Sequence, residues 1–150
     1  MDLLRILLRL LCSAALRAAL VSDAAGRGGD VLAEVEADSV ASAASVLSLC
    51  THREHAAEAW WAAVESAAAK LLALEGDPAE LAAVPVEQVV LLACRVNSNA
   101  YGLGDPAGLN TDVGFGIFPF AAMFNHSCSP NCCFTGGAAL SIRATPRIRC

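Results

Sequence analysis

The chain has 150 residues, of which 56% are hydrophobic and 5% aromatic, and its formal net charge is −5. This composition predicts one sizeable core that depends on leucine, valine and alanine. The charge is uneven, because residues 23–112 carry 14 acidic and 4 basic side chains, whereas the last 38 residues contain three arginines and no acid. Neither part is a dense basic patch, so the sequence does not support direct nucleic-acid binding.

The chain begins with a leucine-rich segment that is predicted to be helical. Asp2, Arg5, Arg9 and Ser13 follow helical spacing and form one polar stripe. Arg5, Arg9 and Arg17 interrupt the apolar run, and an arginine costs roughly 2.5–3.5 kcal/mol at the centre of a bilayer. We therefore predict a packed amphipathic helix and no membrane span, with a mitochondrial-type transit peptide as the minor alternative.

The remainder of residues 1–92 is also predicted to be predominantly helical. Thr51-His52-Arg53-Glu54 matches a capping box and predicts a helix that starts there and continues through Leu71. His52 and His55 are expected to face solvent in the first turn of that helix. Composition and capping signals predict further boundaries: a linker at Ala24–Asp30, a helix end at Gly76, a helix start at Asp77–Glu80, and a last helix from Pro85 towards Asn97.

The C-terminal third combines broken apolar sequence with turn-forming residues. Phe115–Phe124 is interrupted by glycine and proline, and predicts a loop packed against a core. Ser129-Pro130-Asn131 predicts a turn, because proline fixes φ and asparagine tolerates left-handed geometry. Residues 131–143 predict a hairpin in which Gly136-Gly137 forms a tight two-residue turn. Residues 125–128 therefore lie on a loop with ordered sequence on both sides, a common setting for functional residues.

Asn125-His126-Ser127-Cys128-Ser129-Pro130-Asn131 resembles the motif by which SET-domain protein lysine methyltransferases hold S-adenosylmethionine. Upstream, Asn99-Ala100-Tyr101 resembles the Asn-x-Phe element of the SET and MYND (SMYD-like) branch. The resemblance implies that Asn99, Asn125 and His126 contact the cofactor. It also implies that Tyr101 lines the channel of the substrate lysine, where related proteins usually have phenylalanine, so that a hydroxyl is added to the channel.

The fold class expected from this resemblance is α+β. Residues 1–92 would form a helical region similar to the insertion in SMYD-like SET domains, and residues 93–150 the β-rich C-terminal half of a SET domain. The N-terminal glycine-rich strands, the MYND cysteine array and the Gly-Glu-Glu-Leu-x-x-x-Tyr segment with the catalytic tyrosine are not found. The chain is therefore expected to be a SET-domain fragment, truncated before that segment and without a catalytic residue of its own.

The seven cysteines are odd in number and scattered, which indicates reduced intracellular thiols and no disulfide framework. The resemblance makes Cys128 one zinc ligand of the complete protein, with three post-SET cysteines expected beyond Cys150. A nucleophilic pair of Cys128 and His126 is not expected, because residues two apart on a turn seldom reach the required geometry and no third orienting group is indicated.

The function implied by the resemblance is S-adenosylmethionine-dependent methylation of a lysine-containing protein, histone or non-histone, in the nucleus or cytoplasm. The acidic middle of the chain is compatible with a basic substrate, although such a region is more often a solvated helical surface. The alternative is a non-catalytic SET-like interaction module whose helical half binds a partner protein. Neither function involves a membrane or nucleic acid.

Overall fold

The computed structural model describes residues 2–24, 43–73, 81, 83–104, 112–136 and 140–145. Helices come first in the chain and two small antiparallel sheets follow, so the fold class is α+β. The chain divides into two compact units, residues 1–98 and residues 99–150. The division lies a few residues beyond the boundary predicted at residue 92, because the last helix continues to Asn99.

The N-terminal segment forms two helices where the sequence predicted one. Helix α1 spans Asp2–Leu11 and helix α2 spans Ala14–Ala24. The Ser13 hydroxyl accepts a hydrogen bond of 3.3 Å from the Leu16 N–H, so Ser13 caps α2 instead of extending the polar stripe of α1. The guanidinium of Arg17 donates to the Leu11 carbonyl at 2.6 Å, which places positive charge at the C-terminal end of α1.

Both N-terminal helices contribute to the core of the first unit, which confirms the prediction of a packed amphipathic segment. Leu7 and Leu20 are at most 1% exposed. No helix in the described part of the chain is long and apolar enough to cross a membrane. The apolar side chains that make up this core come from each long helix of the unit: Leu7, Leu11, Leu16, Leu20, Val64, Ala68, Leu71, Val89, Val90, Leu92 and Val96.

Helix α3 spans Glu58–Leu72, and its buried residues are Val64, Ala68 and Leu71. The predicted capping box is wrong, because the helix starts after Ala57 and no side chain caps it. His52 instead adopts a left-handed conformation, φ 47° and ψ 37°, which a right-handed helix cannot continue from. Arg53–His55 then forms a separate 3₁₀ turn, in which His52 and His55 are exposed as predicted.

Long-range contacts hold this turn, which we call the histidine turn and define as residues 51–56. The Ser98 hydroxyl donates to the Thr51 carbonyl at 3.3 Å. Arg53 reaches Glu87 at 3.2 Å and lies 4.4 Å above the ring centre of Trp61. Hydrogen bonding from its own backbone lowers the pKa of Glu54 below its usual value, and the nearby His55 and His52 lower it further.

Helix α4 spans Val86–Asn99, which confirms the helix predicted from Pro85 towards Asn97. The Pro85 carbonyl accepts the Gln88 N–H at 3.0 Å. The buried Arg95 donates its Nε–H to the Leu47 carbonyl at 3.1 Å, which joins α4 to a one-turn helix at 43–47. The predictions made for the linker after Ala24, for Gly76 and for Asp77–Glu80 lie outside the described residues; the described part of α3 ends at Leu72.

The second unit contains two antiparallel strand pairs. Strands β1, Ala100–Gly104, and β2, Asp112–Ile117, form the first pair, with Tyr101 opposite Gly116. This strand pair was not predicted, although glycines alternate with apolar residues at 114–117 with the period of a strand.

The predicted hairpin after Asn131 is confirmed. Strands β3, Cys132–Gly136, and β4, Leu140–Ala144, pair antiparallel. Gly136 lies opposite Leu140 and so belongs to the strand. The connection is therefore the three residues 137–139, and the predicted tight turn of Gly136-Gly137 is wrong.

Two neighbouring leucines of α1 provide a matched test of this packing. We expect Leu7→Ala to lower the free energy of unfolding by roughly 2–5 kcal/mol, because Leu7 is 1% exposed and its loss leaves a cavity. Leu8→Ala should change it by less than about 1 kcal/mol, because Leu8 is 43% exposed. Urea unfolding followed by circular dichroism measures both values. Equally small effects would show that α1 is not part of the core.

Candidate functional site

The loop that carries Asn125, His126 and Cys128 is anchored at both ends. Before it, Ala121–Met123 forms a 3₁₀ turn, whose Ala121 carbonyl accepts the Phe124 N–H at 3.0 Å. After it, the Asn131 carbonyl accepts the Thr145 N–H at 2.8 Å, next to the start of β3. The side chains of all three residues are exposed. The backbone around the motif is thus fixed, while its side chains face solvent.

Tyr101 connects the upstream motif element to this loop. Its hydroxyl donates a 2.5 Å hydrogen bond to the Ala121 carbonyl. Its ring makes edge-to-face contacts with Phe134, at 5.0 Å between centroids, and with Phe118, at 6.4 Å. The hydroxyl that the resemblance assigned to a lysine channel therefore bonds to the backbone of the turn before the motif. No local sequence signal predicts this contact, because the two residues lie 20 positions apart.

Gly116 makes room for this aromatic cluster. A Cβ at Gly116 would lie 2.6 Å from the Phe118 ring, a distance too short for two carbon atoms. Gly116 also lies opposite Tyr101 in the strand pair. A side chain at this position would displace the Phe118 ring that Tyr101 contacts. Glycine is therefore required here for close packing.

The other predicted residues differ in their surroundings. Asn99 is the last residue of α4, is half-buried, and precedes β1. Its predicted cofactor contact and those of Asn125 and His126 stay predictions. Tyr101 joins the element at 99–101 to the segment that leads into the motif through its hydrogen bond to Ala121.

His126 and Cys128 contact each other, and the His126 Nε2 and Cys128 Sγ atoms are 3.5 Å apart. The expectation that the two residues do not form a nucleophilic pair stays a prediction. A Cys-His nucleophile also needs a group that orients the imidazole, commonly a carboxylate, and the last 38 residues contain no acid. The contact alone does not make a nucleophilic site.

The six cysteines in the described ranges are free thiols. Cys94 is buried, and burial raises the pKa of its thiol above the usual value, although the charges of Arg53 and Arg95 act in the opposite direction. Cys128 is exposed, and within the described residues it does not belong to a group of three possible metal ligands. Its role as a zinc ligand stays a prediction.

The segment before the motif exposes an apolar surface. The exposed fractions of Phe120, Met123 and Phe124 are 92%, 77% and 55%, so the predicted packing of Phe115–Phe124 as a loop against a core is wrong for these side chains. Only Ala121 of this segment is buried. A cavity of about 390 Å³, which we call the aromatic groove, has the following lining: Ile117, Phe118, Pro119, Phe120, Ala121, Phe124, Leu140 and Ile142.

Replacement of Tyr101 separates the contribution of its hydroxyl from that of its ring. Tyr101→Phe should lower the free energy of unfolding by about 0.5–1.5 kcal/mol, because the Ala121 carbonyl keeps its bond from the Phe124 N–H. Tyr101→Ala should cost roughly 2 kcal/mol or more, because the ring contacts are also lost. Denaturant unfolding that reports on the second unit measures both effects. Equal stability of all three proteins would contradict the proposed anchoring role.

No protein-family model matches this chain, and no curated protein or solved structure matches it significantly. The functional interpretation of residues 99–131 therefore depends on the motif residues themselves and on the geometry described above.

Proposed function

We propose that this chain supplies the S-adenosylmethionine-binding element of a SET-type protein-lysine N-methyltransferase that acts on a histone or non-histone protein. The observation that carries the proposal is the Tyr101–Ala121 hydrogen bond, which joins the upstream motif element to the turn that leads into the second one. The resemblance assigns one element to the lysine channel and the other to the cofactor. Their connection supports a single site to which both contribute.

The exposed side chains of the motif fit the hydrogen-bonding needs of the cofactor. Asn125 offers an amide that donates and accepts, and His126 offers an imidazole with one nitrogen of each kind when neutral. Because the backbone on either side is hydrogen bonded, little conformational freedom would be lost when a ligand binds. The resemblance adds Asn99 to the same pocket, at the point where α4 leads into β1.

The chemistry places modest demands on the protein. S-adenosylmethionine, when bound, supplies an activated methyl group on its sulfonium. The residues of the protein align the substrate amine with that group, and alignment of two reactants contributes on the order of 7–11 kcal/mol in favourable cases. An apolar channel favours the neutral amine, because desolvation disfavours its charged form. The ring of Tyr101, held by Phe134 and Phe118, is suited to form one wall of such a channel.

No residue of this chain is a candidate for the catalytic tyrosine. Tyr101 is the one tyrosine of the sequence, and its hydroxyl is bonded to the Ala121 carbonyl. We therefore assign to the chain cofactor binding and channel formation, and expect no methyl transfer from the chain alone. Zinc binding by Cys128 belongs to the same proposal, with its other ligands supplied from elsewhere.

Cofactor affinity tests the proposed role of Asn125. We expect Asn125→Ala to weaken S-adenosylmethionine binding by about tenfold, because the loss of a hydrogen-bond partner costs roughly 1–3 kcal/mol when the group left behind is desolvated. Isothermal titration calorimetry of the 150-residue chain measures the change. Asn97→Ala is the matched control, because Asn97 is an exposed asparagine of the other unit. Equal affinities for wild type and Asn125→Ala would rule out the assignment.

The aromatic groove favours a second candidate, a non-catalytic module that binds a partner protein. Phe120, at 92% exposure, and the neighbouring Phe124 present apolar surface of the kind found at protein interfaces. Burial of such surface contributes roughly 25 cal/mol per Å². This candidate requires neither S-adenosylmethionine nor a catalytic tyrosine.

Association of the chain tests this second candidate. Phe120→Ser combined with Phe124→Ser should reduce the concentration-dependent association of the chain in sedimentation velocity experiments, because it removes exposed apolar area. Leu8→Ser serves as the control, because Leu8 is an exposed apolar residue of the first unit. Unchanged association in the double variant would count against the groove as a contact surface.

A further inference from the structure

Three side chains with metal-binding atoms converge at the histidine turn. The Nδ1 atom of His52 lies 3.6 Å from Oε1 of Glu54, and Nε2 of His55 lies 3.6 Å from the same oxygen. All three ligand atoms lie within 4.8 Å of one another. The two imidazole rings are stacked, with centroids 6.0 Å apart and an interplanar angle of 25°. The three groups therefore face a common point outside the turn.

These distances are close to those of a metal site. Zinc binds histidine nitrogen and carboxylate oxygen at roughly 2.0–2.2 Å, so neighbouring ligand atoms of a tetrahedral site are about 3.4 Å apart. The two distances of 3.6 Å from Glu54 to the imidazoles exceed that value by a small amount. All three ligand atoms lie within 4.8 Å of one another, and rotation of the exposed side chains would have to bring them closer together.

The turn that presents the ligands is held in place by its own backbone and by α4. The His55 N–H donates to the His52 carbonyl at 3.0 Å, and the Ala56 N–H donates to the Arg53 carbonyl at 3.1 Å. The Thr51 carbonyl accepts the Ser98 hydroxyl at the other end of the turn. His52 has a left-handed backbone conformation, and its ligand atom lies within 4.8 Å of those of Glu54 and His55. A fixed backbone reduces the entropy that metal binding would cost.

The positive charge nearest to this cluster in sequence is occupied elsewhere. Arg53 lies between the ligand residues, but its guanidinium pairs with Glu87 at 3.2 Å and covers the Trp61 ring. The carboxylate of Glu54 is therefore near the two imidazoles, while Arg53 pairs with Glu87. One carboxylate and two imidazoles form a ligand set that zinc and related transition metals prefer over calcium or magnesium.

A cavity lies beside two of the three ligand residues, His52 and His55. Its volume is about 340 Å³, and its lining includes His52, His55, Trp60, Asn97 and Ser98. Three protein ligands leave a fourth tetrahedral position to water or to a bound molecule. The cavity belongs to the first unit, whereas the motif residues Asn125 and His126 belong to the second.

We propose that His52, Glu54 and His55 bind one divalent transition-metal ion, Zn²⁺ by the preference of its ligands, through Nδ1 of His52, Nε2 of His55 and a carboxylate oxygen of Glu54. The site is independent of the proposed methyltransferase function. It differs from the zinc site assigned to Cys128 in ligand type, in position and in unit.

Zinc titration of three proteins tests the proposal. The 150-residue chain without an affinity tag, the variant His52→Asn/His55→Ala and the control His126→Ala are titrated with Zn²⁺ by calorimetry. His126 is the one remaining histidine of the sequence, and asparagine tolerates the left-handed conformation of residue 52. Zinc held by cysteines contributes equally to the wild type and the double variant, because neither substitution is next to Cys128, the cysteine assigned to zinc. We expect the double variant to lose one zinc equivalent, or to bind it at least about tenfold more weakly, whereas His126→Ala keeps it.

Nitrogen NMR of the histidine rings identifies the ligand atoms. On addition of one equivalent of Zn²⁺, the resonances of Nδ1 of His52 and Nε2 of His55 should shift, whereas those of His126 should stay. Glu54→Gln should weaken binding while circular dichroism stays unchanged, because the side chain is exposed. The proposal is overturned if the double variant binds zinc as wild type does, or if zinc shifts the His126 resonances and leaves those of His52 and His55 in place.

Discussion

The carbonyl oxygen of Ala121 joins two elements of the second unit. It accepts one hydrogen bond from the Tyr101 hydroxyl and another from the Phe124 N–H. A carbonyl has two lone pairs, so both bonds can form at once. The first bond ties β1 to the turn and the second closes the turn itself. Close packing of the Tyr101 ring then requires glycine at position 116, because a Cβ there would collide with Phe118.

The sequence predicted those elements that local signals determine. Apolar spacing and a proline at the first turn were sufficient for α4, and the two glycines were sufficient to predict the hairpin of β3 and β4, although not the position of its turn. The capping box at Thr51 failed for a reason that local sequence cannot contain. The Thr51 carbonyl bonds to Ser98, and Arg53 bonds to Glu87, across 47 and 34 positions of the chain respectively. These contacts stabilise a left-handed residue and a 3₁₀ turn where propensity favoured a helix start.

The candidate sites also depend on contacts that local sequence does not reveal. The motif at residues 125–131 could be recognised because its residues are contiguous. The anchoring of that motif by Tyr101, and the convergence of His52, Glu54 and His55, depend on where the backbone turns. If the start of the helix predicted at Thr51 is misplaced by one residue, the side chains that follow are expected to point in the wrong direction. Likewise, the pairing of Gly136 with Leu140 determines how many residues connect β3 to β4. Ligand geometry therefore required the structure, whereas the resemblance of residues 125–131 to a known motif did not.

Exposure of Asn125 and His126 bears on how the proposed cofactor site would work. Hydrogen bonds that compete with water contribute little net free energy, and they become stronger when a site is covered and dry. A surface that covers the motif would also contact the side chains just before it, and these include Phe120 and Phe124, which are largely exposed. Burial of their apolar area would stabilise the covered state by the hydrophobic effect. The aromatic groove and the motif then act together, because the contact that buries the first also dehydrates the second.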